Sequence, residues 1–333
     1  MSILKKLGRE LLFPVIIRCG AEKSLRLFSN KKNLILNYHG VISNPKPDVT
    51  KNHLAVEQFE KHIKYLSKNF DLVTLEEVYS NKPASGRQIH ITFDDGYKNN
   101  LTQALPVLKY YNAPSTIFIS ARALSVPGYP LWYDFFDILI STIGFASIKS
   151  KIISANIFPE IVNIDSYSAF KHYLKARNYE FKKKLIDSLN SHLEVQDAFN
   201  SINREYWELL SGNEIETISK SGLMKIGSHT VNHSNLDSIT PEEVQYEVSE
   251  SKRLLESYSK QTLDSIAFPD GAYNQEVVHI CYQQGYTKLL AVDYRTKESA
   301  ADPGIRQRFS ISNTTTFESV MIQINAAFGK VGF

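Results

Sequence analysis

The strongest constraint in this sequence is an alternation. Short apolar runs of the kind that form buried strands are followed repeatedly by segments with a helical stripe. "NLILNYHGV" (33–41) reads as a strand, and in the segment after it Val56, Phe59, Ile63 and Leu66 fall at helical spacing. "RQIHITFDDG" is the next strand, "NNLTQALPVLKYYN" a helix behind it, and "PSTIFIS" (114–120) a third strand. Such repetition predicts a parallel sheet or barrel, because each helix carries the chain back to the same end of the sheet.

The rhythm breaks between about 124 and 205. There "LWYDFFDILISTI" and "SAFKHYLKARNYEFKKKLIDSLNSHL" look helical, joined by the apolar patch "KIISANIFPEIVNI". Because βα units resume afterwards, 124–205 reads as a mainly helical insertion rather than a separate domain. Ser211 with Glu214 and Thr240 with Glu243 fit the S/T-x-x-E capping box, and Pro241 suits a first helical position. These mark helices at 212–222 and 241–258. Strands follow in "LMKIGS", "DSIAF", "TKLLAV" and "RQRFSI", then a closing helix near 316–328. The expected fold is α/β, a complete or incomplete (β/α) barrel over residues 33–333, preceded by an N-terminal helical segment at 1–32.

Composition closes off several functions. The net charge of +3, from 38 basic and 35 acidic residues, is too balanced to argue for nucleic acid as a partner. Cys19 and Cys281 are the only cysteines, which excludes a disulfide framework or a thiolate zinc cage. The first 28 residues carry early lysines and a short apolar stretch, Leu11 to Ile17, interrupted by Pro14. A bilayer span needs roughly 20 apolar residues, so this stretch is a helix packed on the domain or an amphipathic helix on a membrane surface. No cleavable signal is readable. The expectation is a cytoplasmic protein, with peripheral contact at the inner membrane surface as the variant reading.

In a parallel barrel the reactive groups stand at the C-terminal ends of strands. Four strand ends here carry polar clusters: Tyr38-His39-Gly40, Asp94-Asp95-Gly96, Ser228 to His233, and Pro269-Asp270-Gly271. His229 and His233 are four apart, so one helical turn would aim both imidazoles the same way. Two histidines and a carboxylate suit a divalent ion with sites left open for water and substrate. Alone, the pair reads equally as two surface histidines at a helix start. Neighbours on a strand point oppositely, so Asp94 and Asp95 need not share a job: one can bind a cation while the other takes a proton from water. A solvated Asp-Asp-Gly turn is the plainer alternative.

"TFDDG" at 92–96 with "SHTVNH" at 228–233 resembles the polysaccharide deacetylases of the NodB-homology group, carbohydrate esterase family four. "YHGV" at 38–41 and "FPDGAYN" at 268–274 extend the likeness over roughly residues 33–310. The resemblance implies a deformed (β/α) barrel with a divalent ion, most often Zn2+, removing acetyl groups from an acetylated glycan. It implies Asp94 as general base and Asp95, His229 and His233 as metal ligands. It assigns Pro269, Asp270 and Gly271 to the substrate side, where the backbone N–H after the proline helps hold an oxyanion. Asp270 stands where the family often has an aromatic residue, and Ile266 to Phe268 lack the arginine usual ahead of the proline. No histidine follows His279, so the family's late general acid is missing, and His39 is the natural substitute. Arg308 matches an arginine that would orient Asp94, with Asp293 a further candidate for that network. Trp132 and Tyr133, opening the insertion, suit sugar stacking or packing. An inactive carbohydrate-binding relative and a hydrolase of small cyclic amides are the competing functions. N-acetyl is the expected target, and a nucleotide- or lipid-linked glycan precursor the expected carrier.

Overall fold

A computed structural model describes residues 12–26, 31–46, 48–80, 86–128, 130–156, 158–313 and 315–329. Part of the N-terminal expectation, residues 1–11 and 27–30, lies outside them. Among the described residues ten strands form, all in parallel pairs. Seven of them close a barrel in the order β1 (Asn33–Tyr38), β10 (Ile305–Ser310), β9 (Lys288–Ala291), β8 (Ser265–Ala267), β7 (Met224–Ser228), β6 (Ser115–Ile119), β5 (Gln88–Phe93) and back to β1. β4 (Asp71–Leu72) pairs with only the start of β5, at Gln88 and Ile89, while β6 pairs with its end at Ile91 to Phe93. The wall is therefore splayed beside β5, which is the expected deformation. β2 (Gly40–Ile42) and β3 (His53–Ala55) make a separate two-stranded pair.

Most of the barrel strands are short and largely buried, as in β6 and in β5 after Gln88, because helices cover one face and the barrel interior the other; β10, with Gln307 and Ser310 exposed, departs from this. The helix Val56–Asn69 buries Phe59, Ile63 and Leu66, three of the four residues of its expected stripe. Both capping boxes form, at Ser211 and at Thr240, with Pro241 opening the helix Pro241–Ser259. One local surprise is a π turn, Asn100–Ala104, leading into the helix Leu105–Tyr110. Pro106, with no N–H to give, stands at the start of that helix.

The stretch 124–205 is helical: Trp132–Ile143, Phe145–Ser154, Tyr167–Lys175, Tyr179–Asn190 and Leu193–Asn200 are its main helices. Their apolar faces converge on an apolar cluster distinct from the barrel's, around Phe136, Ile148, Phe170, Leu185 and Val195. This mass stands over the C-terminal mouth of the barrel, since Trp132 and Lys175 reach the loops that follow β7 and β8.

Candidate active site

Asp94 and Asp95 leave β5 in different directions. The N–H of Asp94 still bonds Tyr38 O across the strands (3.0 Å). Asp95 then enters the left-handed region (φ 76°) and Gly96 continues there (φ 85°). A Cβ on Gly96 would lie 2.7 Å from Ile119 Cγ2, so only glycine fits this turn. The two carboxylates do face different partners, through this turn rather than through the pleat of a strand.

Asp94 is held by three donors, one on Oδ1 and two on Oδ2, which leaves Oδ1 able to accept another. Arg308 Nη1 donates to Oδ1 (2.6 Å) and Nη2 to Oδ2 (2.8 Å). Asn37 Nδ2 adds a third bond, to Oδ2 (3.0 Å), and accepts from Arg308 through its own Oδ1 (3.1 Å). All three side chains are buried. Burial pushes the pKa of Asp94 up, but Arg308 foremost, together with His229 and His39, outweighs burial and holds the carboxyl below its ordinary value. The expected role of Arg308 as the group that orients Asp94 thus has its geometry. Asp293 does not join the network. It lies on the exposed outer side of the β9–β10 seam, where Gln307 Nε2 donates to it (2.9 Å), because its position just past β9 turns it outward.

Asp95 is the reverse. It is fully buried, and neither of its oxygens accepts a hydrogen bond. His233 Nε2 stands 3.3 Å and His229 Nε2 3.6 Å from its Oδ1. Atoms held about 2.1 Å from one tetrahedral ion lie about 3.4 Å apart, so both spacings match edges of such a shell. Burial acts against ionisation here too, but the three histidines nearby, His233 first, keep the Asp95 carboxyl well below the usual range. The Nδ1 of His229 sits 2.8 Å from Ala267 O, which fixes the proton on that nitrogen and leaves Nε2 as a bare lone pair. Burial lowers the His229 pKa to about 4, so the ring is neutral at pH 7, the form that ligates metals. A buried carboxylate without donors is costly unless a positive charge stands beside it. Asp95, His229 and His233 therefore fit a divalent ion, and they form the single such cluster found among the described residues.

The histidine pair is not on a helix, contrary to its i, i+4 spacing. Residues 229–235 are a loop in which Thr230 (φ 65°) and His233 (φ 53°) are left-handed. Glu247, from the helix Pro241–Ser259, holds this loop by accepting from the N–H groups of Val231 (2.8 Å) and Asn232 (2.9 Å). Asp95, Thr230, His233 and Asp270 are four of the seven non-glycine residues with positive φ among the described residues. Backbone strain, at about 1–3 kcal/mol per residue, is thus concentrated at this centre.

A cavity of about 400 Å3 opens over the cluster. His39 lines it from the end of β1, and its buried Nδ1 has no hydrogen-bond partner. Trp132 and Tyr133 line it too, but both are buried against the loop: Trp132 Nε1 donates to His233 O (3.2 Å), and the Tyr133 ring meets the His233 ring edge-on at 4.8 Å. Asp270, left-handed in the Pro269–Gly271 turn, points its carboxylate at Lys175 Nζ (2.7 Å), while Arg295 Nη2 donates to Gly271 O (2.8 Å). Every residue singled out in the sequence, apart from Asp293, comes to this one mouth. Asn37 and Glu247 were missed there. For Asn37 the only signal was its place beside Tyr38-His39; for Glu247 there was none.

A closed parallel barrel with a carboxylate–histidine centre at its C-terminal mouth defines the class of protein. The chain belongs to the polysaccharide deacetylase family, whose model matches residues 81–131 and 174–289 and passes over part of the insertion. It is 23% identical over 257 residues to the Bacillus subtilis protein YxkH, a match that takes in 76% of this chain but 61% of that longer relative. The Streptococcus pyogenes deacetylase PplD, solved with acetate, superposes with a TM-score of 0.56 at 18% identity, covering 87% of this chain and 96% of that one. A Bacillus cereus polysaccharide deacetylase, BC0361, gives 0.56 at 20% identity over 87% of this chain and 69% of that one. IcaB from Ammonifex degensii gives 0.57 at 16% over 91% and 99%. These likenesses establish the (β/α)-barrel fold.

Proposed function

We propose that this protein hydrolyses an acetyl group, most simply an N-acetyl, from a sugar of a glycan or glycan precursor. The observation that carries the reading is the contrast at one strand end: a buried Asp95 with no donors facing two imidazoles, and beside it an Asp94 locked by Arg308. Asp95, His229 and His233 would hold a divalent cation, zinc fitting this nitrogen and oxygen set best. Bound there, the cation supplies a Lewis acid for the acetyl carbonyl and makes water more acidic.

The chain's own groups do the rest. Asp94 stays ionised and accepts the proton of the attacking water at a carboxylate oxygen. Arg308 and Asn37 fix that oxygen in place, at some cost in basicity. His39, with an unpartnered ring nitrogen in the cavity wall, gives a proton to the departing amine. The turn at Pro269–Gly271 offers the backbone N–H of Asp270 to the oxyanion, that of Gly271 being spent on Phe268 O, and the Asp270 side chain is turned away toward Lys175, which keeps a second negative charge off that oxygen. The cavity size suits one or two sugar rings, with Trp132 and Tyr133 as its aromatic wall.

The test is acetate release from N-acetylated and O-acetylated oligosaccharides, with and without a chelator. Release from the N-acetylated set, lost on chelation and restored by zinc, is expected; no release from either set by metal-loaded protein contradicts the reading. The proposal extends to place, with a cytoplasmic protein touching the inner membrane surface and acting on a nucleotide- or lipid-linked precursor. Leu12 and Val15, exposed around the helix Phe13–Cys19, support that contact, and no helix among the described residues is long and apolar enough to cross a membrane. Recovery outside the cell on fractionation would overturn this part.

A further inference from the structure

We infer that Glu247 is a positioning residue that sets the cation affinity of the centre without touching the cation. The inference rests on the reading of Asp95, His229 and His233 as ligands. Glu247 is 3% exposed, and its two oxygens accept four hydrogen bonds. Two come from the backbone N–H groups of Val231 and Asn232, and two from Asn232 Nδ2 (2.9 Å) and Ser234 Oγ (2.7 Å). All the donors belong to the loop that carries His233, and none is a ligand.

The geometry explains why a carboxylate is needed there. β7 ends at Ser228, and Thr230 then turns left-handed, so the chain leaves the sheet and the next two N–H groups lose their ladder partners. A single carboxylate replaces both lost acceptors. Because three of its bonds fall between His229 and His233 and the fourth just past His233, they fix the stretch of chain that sets the separation of the two imidazoles. Trp132 Nε1 also holds this loop, through His233 O. Lys182, fully buried with Nζ 4.6 Å from the Trp132 ring, puts a positive charge near Glu247. Without the carboxylate two buried N–H groups have no acceptor. The loop then relaxes, and His233 Nε2 drifts from its 3.3 Å station beside Asp95.

Full-length protein stripped of metal is titrated with Co2+ against a competing chelator, and the visible absorption of the bound ion is recorded. In Glu247→Gln, which keeps the shape but turns one acceptor into a donor, Co2+ affinity should fall about 10–100-fold with an altered spectrum. Ser234→Ala, losing one of the four bonds, should weaken binding less. The double variant should fall short of the sum of the two, since both act through one carboxylate. Wild-type melting, affinity and spectrum in Glu247→Gln would overturn the inference. Should that variant fail to fold, Ser234→Ala decides, and wild-type affinity and spectrum there would also overturn it. If the wild-type chain takes up no Co2+, the ligand reading falls and this inference with it. Normal uptake in wild type and variant alike removes this inference alone.

Discussion

Asp94 and Asp95 share a peptide bond and one neighbour, His229, whose Nε2 lies 4.0 Å from the first and 3.6 Å from the second, but their hydrogen bonding is wholly different. Asp94 lies on the β1–β10 side of the barrel mouth, where three donors from Arg308 and Asn37 grip it. Asp95 lies on the β7 side among imidazoles, with both oxygens bare. On the Asp94 side the carboxylate meets protein donors; on the Asp95 side the donors stop. The difference teaches that an active site can be divided by where its hydrogen bonds stop, even when its residues are adjacent in sequence.

Substitutions can break this comparison at either half. The largest effect is expected from Asp95→Asn. Zinc should raise the melting temperature of the wild type by mass action, worth about 4 kcal/mol at a thousandfold excess over Kd, and should raise that of Asp95→Asn hardly at all. A full zinc shift in the variant would put the ligand elsewhere. Next is Arg308→Met, which strands a buried carboxylate and should lower folding stability by about 3–5 kcal/mol in denaturant titrations. The same variant sharpens the electrostatics. Burial pushes the Asp94 pKa up and the arginine pulls it down, so without the arginine the acid limb of kcat/KM should move to higher pH. An unmoved limb would mean that Asp94 is not the titrating base.

Smaller is the pH dependence of folding in the metal-free protein. Burial holds His53, His90 and His229 at about 4 and His62 at about 3 in the folded state, below an unfolded value near 6.5. Their contribution is complete above about pH 6.5. It falls as pH drops toward 4, because the unfolded chain takes up protons that the folded chain refuses, by up to about 1.4 kcal/mol per pH unit for each group. His233 runs the other way, since its contact with Asp95 outweighs burial and raises its pKa. Four groups against one predict a net loss between pH 6.5 and 5, and a flat profile in urea unfolding would contradict it. Smallest of all is Asn37→Ala, which removes one of three donors to Asp94 and should cost about 1 kcal/mol.

Much of this was legible in the sequence because it is written locally. The βα rhythm, both capping boxes and the polar strand ends depend on neighbours a few residues apart, and each formed where its pattern stood. What was not legible depends on register or on backbone conformation. Asn37 meets Arg308 across 271 positions only because β1 pairs with β10 at Ile35 and Arg308. The i, i+4 histidines suggested a helical turn, whereas Thr230 and His233 are left-handed without being glycine, a conformation no propensity foretells. Glu247 looked like one more acid on an amphipathic helix, and the loop that gives it a role exists only in the folded chain.

The central claim is the division of labour between the paired acids. Its most direct test is metal content measured beside acetate release for Asp94→Asn and Asp95→Asn. Asp94→Asn should keep its full complement of metal while release slows by about 10²–10⁴-fold, and Asp95→Asn should lose both. Metal lost from Asp94→Asn and retained by Asp95→Asn, or release undiminished in Asp94→Asn, would contradict the account.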